Sequence, residues 1–217
     1  MAGRVMNKAP VMSKALIALS LLLSACSSGT ERSESGTVEQ GDLEGARIGG
    51  PFTLTDQNGK LVRWSDFAGK YRIVYFGYTW CPDVCPLDLS KIVAGLKLLE
   101  KSDPGKAARI QPIFVTVDPE RDTPPKLKTY VEAFHPRLIG LTGPADTIEK
   151  VKKEFVVVAS KQGDPDATKD YLVSHSRTPY LFGPDGKPIA LVPTDEDSQA
   201  EKINGETVRE FLEKWVK

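Results

Sequence analysis

The 217-residue chain is long enough for one core-bearing domain with attachments, since single domains commonly run to about 100–200 residues. Its 29 basic residues balance 29 acidic ones, so no summed field draws it to nucleic acid, and that class of partner is set aside. Three cysteines are too few for a disulfide-built scaffold, and Cys26 stands alone while Cys81 and Cys85 lie four apart, which gives them different tasks.

Residues 1–25 have the layout of a targeting segment: Arg4, Lys8 and Lys14 precede the apolar run Ala15 to Leu23, and small residues Ser24 and Ala25 follow. An apolar run of nine residues is too short to span a bilayer. The run ends in Leu23-Ser24-Ala25-Cys26, which resembles the bacterial lipobox; that resemblance implies cleavage before Cys26 and lipidation of its sulfur. The alternative is an ordinary secreted chain with a chance cysteine at that place. Removing the segment leaves 26 basic against 29 acidic residues, a slightly anionic mature protein. Residues 26–45 are rich in Ser, Gly, Thr, Glu and Gln and nearly free of large apolar side chains, so they read as a flexible tether. At about 5–6 Å times the square root of its length, such a linker sets the domain some 25 Å from its anchor.

The folded domain is expected over 46–217. Phe52 to Thr55 and Leu61 to Trp64 flank Asn58-Gly59, the signature of an N-terminal hairpin. Arg72 to Tyr78 is a near-continuous β-branched and aromatic run, as a strand buried on both faces requires. Beyond Pro86, Leu89, Ile92, Val93, Leu96 and Leu99 recur at three and four, which predicts an amphipathic helix to about Lys101. Ile110 to Val117 reads as a second buried strand. Pro124 and Pro125 open a helix through Phe134, and Ala145 to Phe155 forms another, followed by a strand over Val156 to Ser160. Tyr180 to Phe182 and Ile189 to Val192 flank Asp185-Gly186 as an antiparallel hairpin, and a last helix runs from Glu206 to Val216. The fold class is therefore α/β, a mixed sheet with flanking helices. In such sheets chemistry gathers at the carboxyl ends of the strands, where Thr79 to Pro86 and the loop after Val117 both lie.

Cys81-Pro82-Asp83-Val84-Cys85-Pro86 places two thiols where a strand gives way to a helix, close enough to meet on one ion or to oxidise to a disulfide. A helix N-terminus favours thiolate, the form that binds metal and attacks disulfides. A purely structural disulfide remains open at this point, although so short a loop constrains the unfolded chain little.

Several longer motifs occur in order: Gly50-Pro51-Phe52, Asp66-Phe67-Ala68-Gly69-Lys70, Tyr75 to Thr79 with the cysteine loop, Thr116-Val117-Asp118-Pro119-Glu120-Arg121-Asp122-Thr123-Pro124, Ile139-Gly140-Leu141-Thr142-Gly143, and His175-Ser176 ahead of Tyr180-Leu181 and Pro184-Asp185-Gly186. Over about Gly49 to Val192 the chain resembles the Sco or SenC copper proteins that assist cytochrome c oxidase assembly. The resemblance implies a thioredoxin-like fold and one copper ion held by Cys81, Cys85 and His175. Two soft thiolates with one imidazole suit copper, and Cu(I) accepts three ligands, whereas structural zinc normally takes a fourth. His135, the other histidine, precedes Pro136 in a polar turn and reads as surface. Asp83 and Asp118 read equally as turn or capping residues and are not assigned as ligands.

Two positions depart from the family. Ser174 stands where Asp often precedes the ligand histidine, so a supporting carboxylate is missing. Thr178-Pro179 resembles the cis-proline position of thioredoxins, which favours thiol-disulfide chemistry. Two functions follow as expectations. In one, the protein is a copper chaperone serving the copper-A subunit of the oxidase, lipid-anchored at Cys26 on the periplasmic or extracytoplasmic side and loaded by an upstream periplasmic donor. In the other, Cys81 and Cys85 form the redox pair of a reductase that keeps the client's cysteines reduced. A peroxiredoxin-type peroxidase needs Thr or Ser three residues before its reactive cysteine; Pro82 and Tyr78 occupy those places here.

Overall fold

The structure, a computed structural model, describes residues 42–163, 170–194 and 203–217. The targeting segment, Cys26 and most of the tether lie outside the described residues. Val38–Lys217 is one compact unit, and no described helix is long and apolar enough to cross a membrane.

Strands β1 (Thr53–Asp56) and β2 (Leu61–Arg63) pair antiparallel with Thr55 opposite Leu61. Gly59 turns the chain at φ 81°, and the Asp56 carboxylate accepts the N–H groups of Asn58 and Lys60 at 2.8 Å each, so the expected hairpin forms on its own turn chemistry. A single 3-10 turn over Trp64–Phe67 leads to β3 (Tyr71–Gly77), every residue of which is buried. Helix α1 (Val84–Ser102) follows, then the short α2 (Pro104–Ala108) and β4 (Ile110–Thr116). Next come α3 (Pro124–Phe134), β5 (Ile139–Thr142), α4 (Ala145–Glu154), β6 (Ala159–Gln162) and β7 (Leu172–His175). The last elements are β8 (Tyr180–Phe182), β9 (Pro188–Leu191) and α5 (Gly205–Trp215).

Seven strands form one sheet in the order β2-β1-β5-β4-β3-β8-β9, with β3, β4 and β5 parallel and the outer pairs antiparallel. This is the mixed sheet the alternation of elements implies. Parallel pairing of β3 with β4 brings Gly77 opposite Thr116, so the two loops that follow these strands emerge side by side. Helix α1 packs closely on α5, where Gly95 leaves the space a Cβ would take only 2.5 Å from Val208. At the start of the domain Asp42 bridges Ala190 and the Leu43 N–H donates to the Ile189 carbonyl at 2.8 Å, so the chain joins the sheet before residue 46.

Beyond β5 and the short α2, which the sequence pattern does not announce, three features differ from the pattern-based expectation. Helix α1 begins at Val84, taking Cys85 and Pro86 into its first turn. A separate two-stranded sheet, β6 with β7, stands beside the main one, where the sequence pattern predicts a single strand without a partner. The strand expected over Val156 to Ser160 starts only at Ala159, because Val156 adopts φ 55° and closes α4 by donating its N–H to the Lys153 carbonyl at 3.2 Å. Left-handed backbone costs an L-residue about 1–2 kcal/mol and suits a β-branched one least. Glycine escapes that cost but gives up about 0.5–1 kcal/mol in unfolded-chain freedom. Val156→Gly is therefore expected to raise stability by up to about 1 kcal/mol, read as a higher urea midpoint at unchanged slope. A lower midpoint would remove strain as the explanation.

Candidate metal centre

The site is built at the carboxyl ends of β3 and β4. After β3 the chain turns at Tyr78, whose carbonyl accepts the Cys81 N–H at 3.2 Å. Asp122, from the loop after β4, pins the turn: one oxygen accepts the Thr79 hydroxyl at 2.6 Å, the other the Thr79 N–H at 3.0 Å and the Thr116 hydroxyl at 2.6 Å. Asp122 is fully buried, and burial raises its pKa although these donors oppose the rise.

The Asp83 side chain makes no capping bond at the start of α1. In its place the Cys81 sulfur accepts the Cys85 N–H at 3.3 Å. Cys85 is wholly buried and Cys81 nearly so, at 9 % exposed. Gly77 makes room for them, because a Cβ there would sit 3.0 Å from the Cys85 sulfur.

His175 arrives from the end of β7. Its Nδ1–H donates to the Ser176 carbonyl at 2.9 Å, and a carbonyl can only accept, so Nε2 carries the lone pair. That Nε2 lies 3.0 Å from the Cys85 sulfur. Tyr78 and Tyr75 turn edges toward the imidazole, with ring centroids 5.8 and 6.4 Å away. The potential ligand atoms of Cys81, Cys85 and His175 all lie within 4.8 Å of one another.

Both cysteines are free thiols. The Cys85 thiol, with help from the backbone N–H groups of Cys85 and Asp83, holds Cys81 down to about 4 against the opposing effect of burial. The same contact with Cys81, reinforced by burial, pushes Cys85 up. The pair therefore keeps one proton, on Cys85, and presents Cys81 as thiolate.

Three sequence readings change. Ser174 is exposed on the face of β7 opposite His175, and the Ser176 carbonyl supports the imidazole instead of a carboxylate. His135 is not surface: it is 3 % exposed, its Nδ1 accepts the Arg137 N–H at 3.1 Å, and its Nε2 faces Glu100 at 3.3 Å. It lies against α1 and takes no part in the thiol cluster. Asp118, also buried, accepts the Tyr171 hydroxyl at 2.7 Å and pairs with Arg121, whose guanidinium stacks 3.6 Å from the Tyr171 ring. Asp118 and Asp122 thus bind the site's loops together. Asp83 is an exposed turn residue, and Pro179 is buried just before β8, its carbonyl accepting the Val192 N–H at 2.9 Å.

The family described as SCO1/SenC matches residues 40–210 of this chain. The mitochondrial protein SCO2 of Saccharomyces cerevisiae is 40 % identical over 169 residues, covering 78 % of this chain and 54 % of the relative. The bovine SCO2 homolog is 46 % identical over 145 residues, covering 66 % and 53 %. This chain thus spans about half the length of these relatives. The copper-bound structure of Bradyrhizobium japonicum ScoI matches with a TM-score of 0.66 and 38 % identity, covering 77 % of this chain and 99 % of that one. The thioredoxin domain of a thiol-disulfide oxidoreductase from Bacteroides vulgatus shares the fold alone, with a TM-score of 0.52 at 20 % identity over 78 % and 96 % of the two chains. The architecture is therefore thioredoxin-like, as expected. Because the match runs through every loop that builds the thiol and imidazole cluster, kinship extends from the scaffold to the site, and the chain belongs to the SCO1/SenC family.

Proposed function

We propose that this protein binds one copper ion through Cys81, Cys85 and His175 and delivers it to the copper-A site of cytochrome c oxidase. The observation that carries the reading is the convergence of two sulfurs and a free Nε2 within 4.8 Å. Soft thiolates with one imidazole select copper, and three donors leave a coordination position through which a client cysteine can enter for ligand exchange. Copper is cargo here, so a site that is well ordered yet under-coordinated suits the task. Copper-bound relatives such as Bradyrhizobium ScoI support the same choice of metal. The anchor is a lipid on Cys26, the tether that leads from it to Asp42 gives the domain reach, and the folded domain works outside the cytoplasm, loaded by a periplasmic donor.

One observation favours a second reading. Cys81 is a thiolate at the rim of the site, poised to attack a client disulfide; Cys85 would then lose its proton, resolve the mixed disulfide and leave a Cys81–Cys85 bond with two client thiols released. Anaerobic loading of the purified, reduced protein with Cu(I) and Cu(II) separates the two. One copper per chain, a Cu(II)-thiolate absorption band lost in Cys81→Ala, and weakened retention in His175→Ala support delivery. No retained copper together with fast thiol exchange overturns it in favour of the reductase.

A further inference from the structure

His175 sits on the part of the fold that backbone pairing leaves apart. Among the described residues β6 and β7 pair only with each other, whereas both cysteines flank the seven-stranded sheet. A ligand set functions when its members are held within about 0.5 Å of the working geometry, so something other than strand pairing has to fix this hairpin.

Two side-chain ties bracket the imidazole. Two residues before it, the Val173 N–H donates to the Tyr78 hydroxyl at 3.1 Å. Two residues after it, Arg177 grips Asp88, Nε to Oδ2 at 3.2 Å and Nη2 to Oδ1 at 3.0 Å. Asp88 lies three residues after Cys85 on α1, is fully buried, and also accepts the Tyr75 hydroxyl at 3.0 Å. The Arg177 tie therefore ends on the helical turn that carries a sulfur ligand. Two nitrogens on two carboxylate oxygens form a planar fork, which fixes direction as well as distance; an ammonium, a point charge, fixes distance only.

We propose that Arg177 is a positioning residue for His175: its fork on Asp88 clasps the β6–β7 hairpin to the cysteine-bearing turn of α1 and keeps the imidazole in place as third ligand. This rests on the copper-binding reading and adds what holds that site closed. Cys81 and Cys85 are fixed by bonds of their own to the turn after β3 and the start of α1, so the clasp acts on the histidine separately from the thiols.

The test uses Arg177→Met and, because that change strands a buried carboxylate, Arg177→Met with Asp88→Asn as the variant that removes both charges. Cu(I) release to a chromogenic chelator is expected to be about tenfold faster in either, in keeping with the loss seen when a ligand's supporting contact is removed. In a His175→Ala background the same change is expected to add nothing. A metal-free readout is the imidazole nitrogen spectrum: a single Nδ1-protonated tautomer in the parent, and averaging between tautomers in the variants. Unchanged release, equal acceleration without His175, or an unaltered tautomer overturns the clasp. If the parent protein takes up no copper, the copper reading falls by itself, and the nitrogen spectrum still decides whether Arg177 holds His175.

Discussion

Iodoacetamide at pH 6 is expected to label Cys81 and leave Cys85 unmodified, with a preference of at least about 100-fold. An ordinary cysteine, with a pKa near 8.5, is almost entirely thiol at that pH and reacts slowly. Cys81, held down to about 4 chiefly by the Cys85 thiol, is almost entirely thiolate, whereas burial and that same contact keep Cys85 protonated. Accessibility acts in the same direction, since Cys81 is 9 % exposed and Cys85 not at all. The rate at Cys81 should stay flat from pH 8 down to about pH 5 and then fall. Peptide mass spectrometry after timed labelling reads both effects. Equal labelling of the two cysteines, or a Cys81 rate climbing tenfold per pH unit between 6 and 8, would sink the shared-proton description.

Asp122→Ala should cost about 3 kcal/mol or more and unfasten the cysteine loop. The side chain is fully buried and accepts three donors, Thr79 N–H, Thr79 Oγ1–H and Thr116 Oγ1–H. Thr116 is buried and Thr79 partly so, and a buried donor left without an acceptor costs about 1–3 kcal/mol. Asp122→Asn keeps the shape and tests the charge. Burial raises the folded-state pKa above the ordinary 3.8, so the folded protein holds this proton more tightly than the unfolded chain. Stability from this group is then fully present below pH 3.8 and is lost as pH rises through the folded value. Asn does not titrate and should remove that decline. Urea unfolding across this pH range measures both variants, and a parent curve that rises through the window while the Asn curve does likewise would exclude Asp122 as its source.

The sequence displays some parts of this molecule openly. Strands β3 and β4 stand out because both faces are buried and their residues are apolar almost without break. The β1–β2 hairpin is visible because Asp56, Asn58 and Gly59 make its turn from local contacts. The cysteine loop is recognisable because its spacing is short. What long-range contacts decide is hidden. β6 reads Ala-Ser-Lys-Gln, without apolar alternation, and is a strand only because β7 pairs with it. His135 looks exposed in its polar turn, yet Glu100, 35 residues away, covers it. Asp88 did leave a signal: it is a charge directly beside Leu89 on the apolar face of α1, and its partner Arg177 is 89 residues further on. The targeting segment and Cys26 rest on sequence pattern, since they lie outside the described residues.

The start of the domain has a consequence for how the protein stays dispersed. A terminal strand of an open sheet offers unpaired N–H and C=O groups to any other chain and so templates aggregation unless something covers it. β9 is such a strand, and Asp42 and Leu43 lie along it through the bridge to Ala190 and the bond to Ile189. The segment that leads in from the tether therefore doubles as a guard rail. A fragment begun at residue 46, where composition alone places the boundary, would fold with that rail missing and expose a ready site for intermolecular strand addition.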